Sequence, residues 1–150
     1  MPSKKQSGTK LSRYEKQLRE CTFFLDRNLG RKWVAEALRQ AGARVEVHDD
    51  HFAQDIPDEE WLAFCGKNNW IVLTLDYRIR YRVNELEAIE RNKTKAFLIA
   101  RAGQMNRDEL SALLVRSLPK LVALTLQTPV PFAYRISPSG GFTQLPLHRI

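Results

Sequence analysis

Three aspartates occupy positions from which they could hold one cation. Asp26 follows the apolar run Cys21-Thr-Phe-Phe-Leu25, and Asp76 follows Trp70-Ile-Val-Leu-Thr-Leu75. Asp58 stands three residues before Trp61 and four before Leu62, a spacing that places side chains on one helix face and so predicts an inward-facing acid. A few carboxylates and retained waters suffice to hold Mg²⁺ or Mn²⁺, and such an ion makes hydroxide from water and stabilises a phosphoryl transition state. Singly, each acid has an ordinary explanation, because aspartate forms turns and an acid in the first helical turn complements the helix dipole. The chemistry resides in their convergence. Glu59, next to Asp58, is a further candidate ligand.

Directly after Asp76, Arg78, Arg80 and Arg82 alternate around Tyr77 and Tyr81. Arginine forks pair with phosphates and tyrosine rings stack on bases, which suits a single-stranded nucleic acid. Other chemistries are poorly supported. His48-Asp-Asp-His51 contains zinc-capable side chains, but no third ligand follows at a recognisable spacing, and the segment is expected to be an exposed polar loop. There is no GxSxG elbow, Walker loop or GxGxxG turn, and no acidic pair after the first strand as a phosphorylated receiver would need. Cys21 and Cys65 sit in apolar elements without CxxC spacing and read as buried thiols.

The elements that must position these residues alternate. Short runs apolar on both faces, at 21–26, 69–76 and 95–100, predict central parallel strands, and Arg44–His48 adds a fourth. Between them, Trp33, Val34, Ala37, Leu38 and Ala41 recur at helical spacing before Gly42. Pro57 suits the first position of a helix that Gly66 would close, and a further helix is expected near 83–91. Asn106 with Glu109 opens a helix through Leu110, Leu113, Leu114 and Leu118, which Pro119 is expected to kink or split. Strand–helix alternation implies an α/β fold, an open and mainly parallel sheet of four or five strands between two helical layers. Ligands of such sheets bind beyond the carboxyl ends of the strands, the edge where Asp26 and Asp76 lie.

The 150 residues suit one domain, and no apolar run approaches the length of a membrane span, so a cytoplasmic protein is expected. The net charge of +7 suggests a polyanionic partner. Residues 1–20 form a basic extension with six Lys and Arg against two Glu, and Ser12 with Glu15 predicts a short helix at 13–20 whose face carries Leu11, Tyr14 and Leu18. Residues 21–150 are nearly balanced, with 18 basic and 15 acidic side chains, yet residues 46–60 hold seven acids and no Lys or Arg. From 128 to 150 four prolines and the Gly140-Gly141 pair suggest a tail with a loop or a hairpin around 139–141.

Together, Phe24-Leu-Asp-Arg-Asn-Leu29, Pro57-Asp-Glu-Glu-Trp61 and Trp70-Ile-Val-Leu-Thr-Leu-Asp76 resemble the PIN-like nucleases, particularly the branch with VapC-type toxins and Mut7-C-like domains. The resemblance covers about 22–125 and implies a Rossmann-like α/β/α nuclease domain at 21–127. It further implies a Mg²⁺- or Mn²⁺-dependent endoribonuclease, often the toxin of a toxin–antitoxin pair, that leaves 5′-phosphate and 3′-hydroxyl ends. Asp26, Asp58 and Asp76 match the metal-binding acids, with Asn28 and Thr74 as supporting polar groups and Glu59 as a substitute ligand. Full-length PIN domains usually carry four acids. Here the fourth strand ends in Ala100-Arg101 and no acid follows until Asp108, which leaves the number of metals, one or two, open, and Arg101 joins Arg78, Arg80 and Arg82 as a candidate for RNA phosphates. The implied partners are RNA and a cognate antitoxin, and the amphipathic helix at 13–20, with Leu11, Tyr14 and Leu18, or the Pro-rich tail is expected to dock an antitoxin or a second copy of the chain. The competing expectation is a non-catalytic module of the same fold that binds RNA or a protein partner.

Overall fold

The computed structural model describes residues 10–29, 31–76, 79–101 and 104–147. Helix α1 (Arg13–Arg19) opens on a reciprocal capping box, in which the Ser12 hydroxyl accepts from the Glu15 amide and the Glu15 carboxylate accepts from the Ser12 amide. There follow β1 (Thr22–Leu25), α2 (Arg31–Gln40), β2 (Arg44–Val47), α3 (Asp58–Lys67), β3 (Ile71–Asp76) and α4 (Ile79–Arg91). The chain continues through β4 (Lys95–Ala100), α5 (Arg107–Gln127), β5 (Phe132–Ile136) and β6 (Phe142–Gln144).

Among the described residues six strands form one sheet in the order β2-β1-β3-β4-β5-β6. The first five are parallel and β6 returns antiparallel against β5. Alternate side chains of the buried strands face opposite layers. Phe23, Leu25, Ile71, Leu73, Phe97 and Ile99 pack with α1, α2 and α5, while Phe24, Val72, Ala96 and Leu98 pack with α3 and α4. The order reverses between β1 and β3, which makes their carboxyl ends the switch point at which such sheets bind ligands.

Several expectations need correction. The sheet has six strands, because the segment after 128 supplies both β5, beside β4, and a hairpin closed by Ser137 and Gly141 over Gly140 at φ 94°. Pro57 is the cap of α3 and Asp58 its first residue. Gly66 lies inside α3, and Asn69, at φ 60°, turns the chain toward β3. A β-carbon on Gly66 would stand 2.2 Å from the Asn92 carbonyl oxygen, so this glycine serves the close approach of α3 to the turn after α4. Helix α4 begins at Ile79, several residues earlier than the apolar spacing suggested. Pro119 does not interrupt α5, for it lies on the exposed side, where water can reach the carbonyl left without its usual donor. The amphipathic face of α1 is used within the fold, with Leu18 buried and Tyr14 packed on the same core.

Candidate functional site

At the carboxyl end of β1 the chain enters a single 3-10 turn, Arg27–Leu29, and Asp26 is the residue between. Its amide donates to the Leu73 carbonyl of β3 at 3.1 Å, which fixes its backbone against the neighbouring strand. The carboxylate is 7 % exposed and accepts a 2.7 Å hydrogen bond from the Thr74 hydroxyl, itself buried. Burial raises the Asp26 pKa above the ordinary value. The Thr74 hydroxyl and the Arg27 amide oppose that shift by bonding to the charged form, the charge of Asp58 reinforces it, and His48 draws it down. No Lys or Arg pairs with Asp26 among the described residues.

Asp58, on α3, lies near enough for its charge to act on this carboxylate. The sequence predicted an inward-facing acid, but the structure places Asp58 at an exposed rim above the buried Trp61 and Leu62, because it is the first residue of its helix. Its Oδ1 accepts from the Trp61 indole N–H at 3.0 Å, and the Trp61 ring stacks on Phe24 with centroids 5.4 Å apart. The acid on α3 is thereby anchored to the strand that delivers Asp26. Asp76 is the last residue of β3, in register with Ala100 of β4. Its backbone therefore lies at the same sheet edge as Asp26, and its side chain is outside the described structure. Two of the three acids are thus brought into electrostatic contact, and the third shares their edge.

Thr74 bonds Asp26 directly. The Glu59 carboxylate is taken up by Arg91, at 2.6 and 3.0 Å, and by Asn92 at 2.5 Å, contacts that lower its pKa. Asn28 lies in the 3-10 turn, and Arg80 and Arg82 lie in the first turns of α4, without described side chains; Arg78 falls outside the described residues. Arg101 is exposed and adopts φ 56° as the chain leaves β4. His48 is not part of an exposed loop: it is fully buried among Phe24, Phe52 and Trp61, with Nδ1 3.1 Å from Asp49 and no partner for Nε2 among the described residues. His51 instead bonds Glu46 at 2.6 Å, so the two histidines engage different acids. Burial raises the pKa of both Cys21 and Cys65, as expected of inert thiols.

A cavity of about 460 Å³ adjoins the acid pair between α3 and α4, with Asp58 and Thr74 on one wall and Asn84 and Glu85 on the other. The α4 pair was not anticipated. The available signal was the spacing of Glu85 four residues before the buried Ile89, which puts both on one helix face. In chemical terms the site offers oxygen donors only, two carboxylates and a hydroxyl, a set that fits a hard divalent cation. Among the described residues no group of three His, Cys, Asp or Glu is assembled.

This arrangement, two acids at the switch point of a three-layer α/β/α sheet, defines a class. The model of the PIN like domain family matches residues 21–101, and the chain belongs to that family. It is also 30 % identical over 120 residues to a Mycobacterium tuberculosis protein named "Putative ribonuclease VapC45", an alignment that covers 77 % of this chain and 86 % of that one. No solved structure matches the chain. Among the described residues no helix is long and apolar enough to cross a membrane.

Proposed function

We propose that this protein is a metal-dependent endoribonuclease of the VapC type, the toxin of a toxin–antitoxin pair, acting on single-stranded RNA in the cytoplasm. The observation that carries this reading is the Asp26 carboxylate, buried near Asp58 at the β1/β3 switch point without a Lys or Arg partner among the described residues. A buried acid near a second acid is costly to the fold, and a cation between them relieves that cost. The relative's name, a ribonuclease, supports RNA as substrate, and a cognate antitoxin is the partner that the resemblance to VapC-type toxins implies.

Asp26, Asp58 and Asp76 are the residues that would hold Mg²⁺ or Mn²⁺. When bound, the ion supplies Lewis-acid activation of water and of the scissile phosphodiester. The chain does the rest. Thr74 and the Arg27 amide favour the charged form of Asp26 and orient it, and the Trp61 indole bonds to Asp58 and steadies it. Arg78, Arg80, Arg82 and Arg101 bind the phosphates of the incoming strand, and Asn28 supports the edge. Glu59, occupied by Arg91 and Asn92, braces α3 against α4.

The test is cleavage of labelled RNA by wild type and Asp76→Asn across a Mg²⁺ titration. Cleavage that requires the metal, is lost in the variant and leaves 5′-phosphate ends supports the proposal. Equal cleavage by both proteins, or RNA binding without cleavage that EDTA leaves unchanged, favours the non-catalytic alternative.

A further inference from the structure

Helix α2 buries Val34, Ala35 and Leu38 in the core but leaves the Trp33 ring 47 % exposed. Two contacts hold that ring from α5. Its indole N–H donates to the Asp108 carboxylate at 2.9 Å, and the Arg107 guanidinium lies 3.8 Å from the ring centroid. Trp33 is the third residue of α2, and Arg107 and Asp108 are the first two of α5. These helices start soon after β1 and β4 end, so the group sits toward the carboxyl edge of the sheet, the edge that carries Asp26 and Asp76. The ring is thus fixed without being covered. A groove of about 360 Å³ adjoins it, lined by Lys32, Glu36, Ala37 and Gln40 as well as Trp33, and Arg107 takes no part in that lining. One cation and one acid leave the groove without net charge, which suits a neutral base better than a phosphate. Phosphates have partners nearby: Arg27 and Arg101, both exposed, stand where β1 and β4 end, and among the described residues neither pairs with a carboxylate.

We propose that Trp33, backed by Arg107, is a stacking platform for an unpaired base of the RNA substrate. The inference rests on RNA as the substrate of the acid site. Asp26 shares the sheet face of Phe24, toward α3 and α4, whereas Trp33 belongs to the α2 and α5 layer. A strand with one phosphate at the acids therefore crosses the sheet edge past Arg27 and Arg101 and lays a base on Trp33. An aromatic ring with a guanidinium against it, beside unpaired cations, is the combination by which proteins hold single strands. The unpaired arginines are also what favours a polyanion over a protein partner on this face. Every base has a π-face, so such stacking is tolerant of sequence, and Trp33 and Arg107 bind and align the strand without reading it.

The experiment is fluorescence anisotropy of a labelled oligoadenylate in EDTA, without metal or cleavage, at several salt concentrations. Trp33→Leu and Trp33→Ala both remove the stacking face. Each is expected to bind at least about fivefold more weakly, the lower end of what one stacked base contributes. The slope of log affinity against log salt should stay that of wild type, because no phosphate contact is lost. Trp33→Phe gives up the bond to Asp108 but keeps a ring, and is expected to remain within about twofold of wild type. Circular dichroism establishes each fold, and either folded Leu or Ala variant decides the point. Wild-type affinity in those variants, a changed salt slope, or an equal loss in Trp33→Phe overturns the platform. So does an altered oligomeric state with RNA affinity intact, which would give this face to a protein partner. A parallel Mg²⁺ cleavage assay separates the two claims. Binding that depends on Trp33 without cleavage keeps the platform and removes the ribonuclease, and cleavage with binding indifferent to Trp33 does the reverse.

Discussion

The Thr74 hydroxyl donates to the Asp26 carboxylate at 2.7 Å, between two buried residues 48 positions apart on neighbouring strands. The bond depends on the sheet order, since β1 and β3 are adjacent although β2 lies between them in the chain. The same adjacency brings the backbone of Asp76 to the edge that carries Asp26. The hydroxyl therefore reports on whether the acid site is assembled.

Thr74→Val removes the hydroxyl at nearly constant shape. A hydrogen bond to a charged group contributes about 1.5–3 kcal/mol, and a chain of this size loses about 2–4 °C of melting temperature per kcal/mol. The variant should melt lower at neutral pH, and the Asp26 pKa should rise further, because the hydroxyl is the strongest influence lowering it. An unchanged melting temperature would show that Asp26 does not depend on Thr74.

Asp26→Asn should act in the opposite direction on the metal-free protein. The folded pKa of Asp26 is raised above 3.8, so between that value and the raised one the native state binds more protons than the unfolded chain. Stability from this group is fully present below 3.8 and is lost as pH rises through the folded value. Replacing the acid deletes the loss, so in EDTA the variant is expected to melt above wild type at neutral pH, with the gain gone below pH 3.8. Added Mg²⁺ should then raise the melting temperature of wild type alone, since a ligand stabilises only the state that binds it. Thermal melts at two pH values, with and without Mg²⁺, check both statements.

Gly66→Ala tests the approach of α3 to the turn after α4. The added carbon would meet the Asn92 carbonyl oxygen at 2.2 Å, and overpacking of this kind costs about 1–3 kcal/mol. Chemical denaturation should show a lower midpoint with an unchanged slope. A midpoint equal to that of wild type would mean that the two backbones do not meet there.

Asp58→Asn and Glu59→Gln separate neighbouring acids by function. Asp58 is coupled to Asp26, whereas Glu59 is held by Arg91 and Asn92. Loss of a metal ligand should reduce cleavage by at least about a hundredfold, the upper end of what even an outer-sphere partner costs, while Glu59→Gln should change the rate by less than about threefold. Steady-state rates on one RNA substrate distinguish them, and a larger effect at Glu59 would reassign the ligand.

Much of this was legible along the chain because it is local. The capping boxes Ser12/Glu15 and Asn106/Glu109 form as their spacing requires, and the doubly apolar runs ending at Asp26 and Asp76 are central parallel strands. What could not be read depends on distant partners. Nothing near Gly66 in sequence announces the Asn92 carbonyl that excludes a side chain, and the apparent stop signal is a close contact inside a helix. His48 looks polar among acids, yet Phe24 of β1 and Trp61 of α3 enclose it together with the nearby Phe52. Pro- and Gly-containing residues after 128 read as a tail because edge hairpins share their composition with loops, and only pairing with β4 reveals strands. Helical spacing predicts an inward face for Asp58, but as the first residue of its helix it stands on an exposed rim.

The central claim is that Asp26, Asp58 and Asp76 share one cation, and anomalous diffraction from crystals soaked in Mn²⁺ measures it most directly. The account predicts a single peak bonded to oxygens of all three carboxylates at about 2.1 Å, lost in Asp26→Asn. A peak elsewhere on the protein, or none at saturating Mn²⁺ with the three carboxylates pointing apart, would contradict it.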